Sequence, residues 1–428
     1  MQTQEPAIEK KDTIVGETSV STSETWRALI APWWRTTLAI LPVFVITRIV
    51  FLLLTYFGGV LFSLSNYSYT IIPLHQILYN WNRWDALRFT TIAAQGYPAL
   101  DYAAFFPLFP ALSHALSVII HKDTVVSGIL LSNLAFLGTM IVLYRLVETE
   151  MDAETANRTT LYLAIFPTAL FFFAGYNESL FLFFMLLCFY TLRRGSWWLA
   201  GLFGGLAALS RSIGLLLFVI FFYEFLRLRL PDLRQAWNDK QVIRALPALV
   251  GLLPSLLIPL GLGVYMLGLR TRFGDPLAFT HAQVHWREGL SAPWVAPLLT
   301  LKFIVRQPLM TFYVVHNIID LSAFVLFAVL VVLSFVGPVR LRRDQWSFGF
   351  FALIALIYSV LFPGIPHIVG LAYDPLPSMQ RFVLELFVCF IILARLGRRP
   401  SFHLGYLLLS LPLLAFFTLQ FLTGHWTI

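Results

Sequence analysis

Long apolar runs recur through this chain from about residue 38 to its carboxy end, and no other feature constrains its fold as strongly. Crossing the hydrocarbon core of a bilayer takes about 20 apolar residues as a helix. The candidate spans are 38–57, 124–147, 159–176, 178–192, 246–269, 318–337, 346–362, 381–395 and 403–422. Several are shorter than the ideal length, as happens where a helix leans on protein rather than lipid. Two more runs are irregular. The stretch 105–120 is short and carries Pro107 and Pro110, and 197–226 is too long for one ordinary span and is interrupted by LSRSIG at 209–214. The composition agrees, with 58% hydrophobic and only 12% charged residues, where a soluble domain runs near a quarter charged. The expected fold is an all-α polytopic membrane protein with about 10–12 membrane helices.

The net charge of +8 comes mainly from arginine, since only five of the 30 basic residues are lysines. A nucleic-acid binder would show a basic patch with interleaved aromatics in a soluble module, and none is present, so no nucleic-acid partner is expected. The basic residues instead gather between apolar runs, as the cytoplasmic excess that orients membrane proteins does. Arg27 and Arg35 precede the first span; Arg227, Arg229, Arg234, Lys240 and Arg244 share one loop; Arg340, Arg342 and Arg343 a second; Arg395, Arg398 and Arg399 a third. The outer loops are then 58–104, 270–317 and 363–380, with the carboxy end outside. Residues 1–35 read as a cytoplasmic tail, disordered to about residue 25, and 36–428 as the membrane domain. The first apolar run lies too far from Met1 for a cleavable signal peptide. Cys188 and Cys389 sit in apolar runs and imply no disulfide framework or metal-ligand spacing.

The middle of the chain admits two topologies. Either 105–120 crosses and 197–226 is a single span, or 105–120 does not cross and 197–226 forms two half-helices; the choice puts Asn177 and Glu178 on opposite faces. The second is preferred, because Arg211 at the centre of one span would cost about 2.5–3.5 kcal/mol on insertion scales. At the tip of a hairpin it would be solvated.

From residue 81 the chain reads WNRWDALRFTTIAAQGYPALDYAAFFPLFP. Trp81, Trp84, Tyr97 and Phe105 suit the membrane interface, where amphipathic rings sit. Asp85 stands among them. A carboxylate held at low dielectric has its charged form disfavoured and becomes a better base, while Arg83 and Arg88 pull the other way. A salt bridge from Asp85 to one of those arginines is the competing reading.

The run WDALRFTTIAAQGY followed by AFFPLFP resembles the first outer loop of the PIG-V family, the second mannosyltransferases of GPI-anchor assembly and their prokaryotic relatives, within the GT-C class of multi-span glycosyltransferases. Three further stretches agree in the same order: FPTALFFFAGYNESLF at 166–181, WWLAGLFGGLAALSRSIGLLL at 197–217 and GDPLAFTHAQVHW at 274–286. PSMQRFVLELF at 377–387 is similar to the family's last shared region. Arg88 and Phe89 depart from the usual pattern of an aromatic or histidine followed by tyrosine, which weakens any role for those two positions and not for Asp85. The resemblance implies a GT-C-type architecture with an interfacial first outer loop and Asp85 as catalytic base. It also implies inverting transfer of mannose from polyprenyl or dolichyl phosphate mannose to a glycolipid or protein acceptor on the outer face.

That chemistry is physically coherent. A polyprenyl phosphate sugar cannot leave the bilayer, so the reacting carbon sits at the membrane surface. The acceptor hydroxyl needs a carboxylate within about 3 Å to take its proton, and the departing phosphate needs a cation. Arg381 and Arg211 are the candidates for donor phosphate binding. Arg381 otherwise reads as an interfacial arginine reaching to water, and Arg211 as a structural ion pair with Glu178. Trp84, Glu178, Gln283 and Trp286 are the candidate substrate contacts; Glu178, at a helix start, would alternatively complement the helix dipole. His281 and His285 lie four apart, as metal ligands on one helix face do, but lack a third ligand nearby, so no metal residue and no definite cofactor is assigned. A divalent metal stays compatible with the chemistry. Asp101, Asp374 and His367 receive no role.

The alternative function is a polytopic transporter or lipid flippase without transferase activity. Such proteins often carry paired broken helices, and only one broken region, 209–214, is visible here. The expected location is the plasma membrane in a prokaryote and the endoplasmic reticulum membrane in a eukaryote. The expected partners are the lipid-linked donor, the acceptor and the surrounding lipid.

Overall fold

Among the described residues, five helices are long and apolar enough to cross a membrane: Ala31–Phe57, Thr124–Glu150, Leu253–Phe273, Phe312–Phe335 and Pro400–Leu422. The computed structural model describes residues 22–58, 77–239, 250–366 and 373–425, and among these no strand forms beyond an isolated bridge between Arg287 and Gly364. The all-α membrane fold read from the apolar runs is therefore what the chain adopts.

Helix α1 spans Thr22–Phe57, so the helix begins inside the stretch expected to be a tail; residues 1–21 of that tail lie outside the described residues. After α2 (Asp85–Gln95) and α3 (Leu108–Ile120), the chain turns at His121, in left-handed backbone, into α4 (Thr124–Glu150). Asp123 caps α4 by accepting from the N–H groups of Val125 and Val126 at 2.9 and 3.0 Å. Helix α3 doubles back along α4, with Phe109 and Ser113 beside Gly128. The two form a helical hairpin.

The expected span 159–176 is not one helix. Helix α5 (Ala153–Ala164) stops before Pro167, and the chain continues as buried irregular backbone to α6 (Glu178–Arg193). Backbone of that kind survives at membrane depth only where protein satisfies it. Ser410, Asn133 and Ser132 donate to the carbonyls of Ile165, Phe173 and Tyr176 at 2.6, 3.1 and 2.7 Å, and Arg48 donates to that of Phe172 at 3.2 Å.

The run 197–226 forms two helices, α7 (Trp197–Ser210) and α8 (Leu216–Asn238), separated at Arg211, whose backbone is extended. Helix α9 (Leu257–Phe273) crosses α7 at very close range, since a Cβ added at Gly261 would lie 2.3 Å from the carbonyl oxygen of Gly205. Small residues permit such close backbone contact between membrane helices. Two short helices, α10 (Ala278–Ala282) and α11 (Val295–Arg306), lead to α12 (Phe312–Phe335) and α13 (Trp346–Val360). The expected span 381–395 is also broken, into α14 (Met379–Phe382), a short turn and α15 (Phe387–Leu396), before α16 (Pro400–Leu422) closes the fold.

Charges gather at the two ends of this bundle. At one end Arg193 is held by Glu150 at 2.6 Å and Asp344 at 3.2 Å, Arg398 by Asp152 at 2.7 Å, and Arg395 donates to the carbonyl of Arg340 at 2.6 Å. The basic loops around 340 and 398 thus meet there. The opposite end holds the amino termini of α2, α6 and α14, and with them a second set of charges. Cys188 and Cys389 are free and buried between the ends.

Candidate active site

The site begins with a strained turn. Trp84 has φ 55° and ψ −123°, a backbone region that costs a non-glycine residue about 1–3 kcal/mol. Its surroundings hold it in place. Trp81 is fully buried against Phe173 and Phe421, with ring centroids 4.8 and 5.5 Å away, and donates to Thr55 Oγ1 at 2.9 Å. It is a core anchor, packed on protein rather than exposed to lipid. Arg83 donates to the carbonyls of Asn80 and Leu422 at 3.1 and 3.2 Å, and its own carbonyl accepts from Tyr176 Oη at 3.2 Å. These contacts fix the start of α2, where Asp85 is the first residue.

Asp85 pairs with neither neighbouring arginine. Arg88 is taken by Asp101 at 2.6 Å and lies 4.4 Å from the Tyr102 ring. The partner of Asp85 is Arg381, whose Nη1 donates to Oδ2 at 2.5 Å from almost 300 residues along the chain. Asp85 is 34% exposed and Arg381 only 8%, so the carboxylate is reachable while the guanidinium is enclosed. Arg381 is therefore not an arginine reaching to water. Its guanidinium carbon lies 4.6 Å from the Tyr176 ring centroid and 5.3 Å from that of Phe171, a desolvated cation–π setting.

Behind Arg381 the alternation continues. Its Nε donates to Glu178 Oε1, and the same oxygen accepts from Arg211 Nη1. Arg211 also donates to Asn177 Oδ1 at 3.1 Å, and its Nε lies 2.8 Å from Glu385 Oε1. The result is a line of five charges, Asp85, Arg381, Glu178, Arg211 and Glu385, in which carboxylates and guanidinia alternate. Buried ions are costly unless paired and hydrogen-bonded; here each inner charge faces two of opposite sign. Glu178 is 1% exposed, so its carboxylate is enclosed, with the two guanidinia against it. Its helix start lacks a side-chain cap.

Glu385 was not singled out from sequence, although an acidic residue inside an apolar run is itself a signal. Arg287 was missed too. It donates to the carbonyl of Phe362 at 2.9 Å and lies 5.4 Å from the Phe382 ring, which Arg211 approaches to 5.3 Å. No sequence pattern around Arg287 distinguishes it from other loop arginines.

Gln283 and Trp286 stand apart from this line. Trp286 lines an open cleft of about 500 Å³ with Arg88, Leu100, Asp101 and His285, and sits edge-on to Phe105 at 6.2 Å. His281 is engaged by Asp275 at 2.6 Å, a hydrogen bond that holds the Asp275 carboxyl below its usual range. Asp374 lies beside His316 and Asp320, and His367 is outside the described residues. A reachable carboxylate one hydrogen bond from an enclosed cation can take a proton while an anion is held next to it.

A family model described as Mannosyltransferase (PIG-V) matches residues 60–278, just over half of the chain. The chain belongs to the PIG-V mannosyltransferase family. Asp85, Glu178 and Arg211 fall inside the PIG-V match and Arg381 and Glu385 beyond it. Among PIG-V-type relatives, the mouse GPI alpha-1,6-mannosyltransferase 2 is 33% identical over 144 residues, covering 31% of this chain and 29% of that protein. GPI mannosyltransferase 2 of Yarrowia lipolytica is 27% identical over 186 residues, covering 43% and 49%. The matched regions therefore span less than half the length of these relatives. In shape the chain is similar to ArnT from Cupriavidus metallidurans bound to undecaprenyl phosphate, with a TM-score of 0.48 and 12% identity over 85% of this chain and 62% of that one.

Proposed function

We propose that this chain is a multi-pass, GT-C-type enzyme that transfers mannose, with inversion, from a polyprenyl or dolichyl phosphate carrier to a hydroxyl of a glycolipid or protein acceptor. The observation that carries this reading is the 2.5 Å contact between Asp85 and Arg381, a partly exposed carboxylate directly beside an enclosed guanidinium. The acceptor oxygen attacks the anomeric carbon and its proton passes to Asp85. The bond from that carbon to the phosphate oxygen breaks, and its electron pair leaves with the lipid phosphate. Arg381 meets the growing charge as a two-pronged donor, Glu178 holds Arg381 in place, and Arg211 adds positive charge behind it. A β-linked donor then yields an α-mannoside. Trp84, Gln283 and Trp286 serve the sugars, Trp286 from the wall of the neighbouring cleft.

The sidedness follows the charge. The end bearing Arg340, Arg342, Arg395 and Arg398 faces the cytoplasm, and the end bearing Asp85 faces the extracytoplasmic or lumenal space. The membrane is the plasma membrane in a prokaryotic host and the endoplasmic reticulum in a eukaryotic one.

The Arg381 series tests this assignment. Arg381→Ala should lower mannosyl transfer by about 10²–10³-fold, the usual loss when one donor to a developing anion is removed. Arg381→Lys should recover only part, because a point charge does not reproduce the planar fork. The α configuration of the product, read by NMR, accompanies the assay. Transfer by Arg381→Ala at the wild-type rate, or a product that retains the donor's configuration, would overturn the proposal.

A further inference from the structure

His316 and Asp320 lie one turn apart on the outer part of α12, a spacing that puts both on one helix face, and Asp374 reaches them from the segment before α14. His316 Nε2 is 3.1 Å from Asp320 Oδ2 and 3.4 Å from Asp374 Oδ2. The two carboxylates are arranged alike. Oδ1 of Asp320 accepts the backbone N–H of Gln380 at 2.9 Å, Oδ1 of Asp374 accepts that of Leu376 at 3.1 Å, and both Oδ2 atoms turn to the imidazole. Yet His316 Nε2 and Asp320 Oδ2 are buried and make no hydrogen bond of acceptable geometry. A buried acceptor left in that state costs about 1–3 kcal/mol, and one imidazole N–H cannot serve two carboxylates at once.

A metal ion resolves both difficulties. Ligand atoms about 2.0–2.2 Å from a tetrahedral zinc ion are separated from one another by about 3.3–3.6 Å, close to the separations found here. The backbone bonds to the Oδ1 atoms are the orienting contacts that metal-binding carboxylates usually carry. We propose that His316, Asp320 and Asp374 bind a divalent transition-metal cation of the zinc class. One imidazole and two carboxylates favour such an ion over magnesium or calcium, which prefer all-oxygen shells with more ligands. Three protein ligands leave a position open to water. The ion would clamp the segment 374–380 against α12, and the next residue is Arg381, so metal occupancy would be tied to the seating of that guanidinium. The site stands independently of the transferase reading.

The experiment uses the full chain in detergent, purified by a tag without histidine, stripped with chelator and dialysed against zinc. Wild type should retain one equivalent by elemental mass spectrometry and melt at a higher temperature when loaded. Asp320→Asn and His316→Ala should weaken zinc binding at least a hundredfold, while His281→Ala, at the exposed pair with Asp275, should keep the equivalent. Asp374→Asn, at the least buried ligand, gives the same reading should a buried variant fail to fold. Wild type that holds no zinc, or Asp374→Asn and His316→Ala that hold as much as wild type, would overturn the site.

Discussion

Asp85→Asn should lower mannosyl transfer by at least about a hundredfold while the protein stays folded and inserted. The substitution keeps the side chain's shape and its contact with Arg381 through the amide oxygen, and removes the basicity. A positioned general base contributes about 10²–10⁴-fold, and an unactivated sugar hydroxyl belongs at the upper end. Donor binding should change little, because it draws on the lipid tail, the phosphate and the guanidinia. Asp85→Glu displaces the carboxylate by one methylene and should be as impaired or intermediate, since attack geometry tolerates about 1 Å. Near-normal turnover with a lowered melting temperature would instead mark the Asp85–Arg381 contact as a structural ion pair.

Glu178→Gln should have the largest effect on stability. Glu178 is 1% exposed and one of its oxygens serves both Arg381 and Arg211. Removing one partner from a buried ion pair costs about 3–5 kcal/mol, because an uncompensated charge is left behind. Here two guanidinia would face each other across a neutral amide, each keeping only its outer carboxylate, Asp85 or Glu385. The melting temperature in detergent should fall steeply, and transfer should be lost in whatever folded protein remains. Asp85→Asn provides the comparison, since its partly solvated carboxylate should leave the melting temperature close to wild type. A Glu178→Gln protein as stable as wild type would contradict the continuous line of charges.

The membrane fold was legible because its signal is local: about 20 apolar residues in a row need no partner to be recognised. The break at Arg211 was legible for the same reason, since a lone guanidinium in an apolar run is costly wherever the rest of the chain goes. The interrupted segments at 165–177 and 383–386 were not. The first carries no charge before Glu178 to mark the break, and its carbonyls accept from Ser410, Asn133 and Ser132 on distant helices, which no local window contains. The candidate site divides in the same way. Asp85, Glu178, Arg211 and Arg381 each stand out singly as charges in unusual surroundings, but their order along one line depends on α2, α6 and α14 starting at the same end. Sequence proximity favoured Arg83 or Arg88 for Asp85, and the fold supplied Arg381. The cluster of His316, Asp320 and Asp374 was missed because its third member comes from a loop more than fifty residues from the first.

The central claim, that mannose leaves its lipid carrier by chemistry at Asp85, is tested most directly with a doubly labelled donor. Purified chain is reconstituted into vesicles with a polyprenyl phosphate mannose labelled differently in sugar and lipid, together with a soluble hydroxyl acceptor. The account predicts that the sugar label moves to the acceptor while the lipid label stays behind as free polyprenyl phosphate, and that Asp85→Asn vesicles release neither. Donor that crosses the bilayer with both labels still joined, at equal rates with and without Asp85, would contradict the account and identify a carrier of lipid-linked sugars.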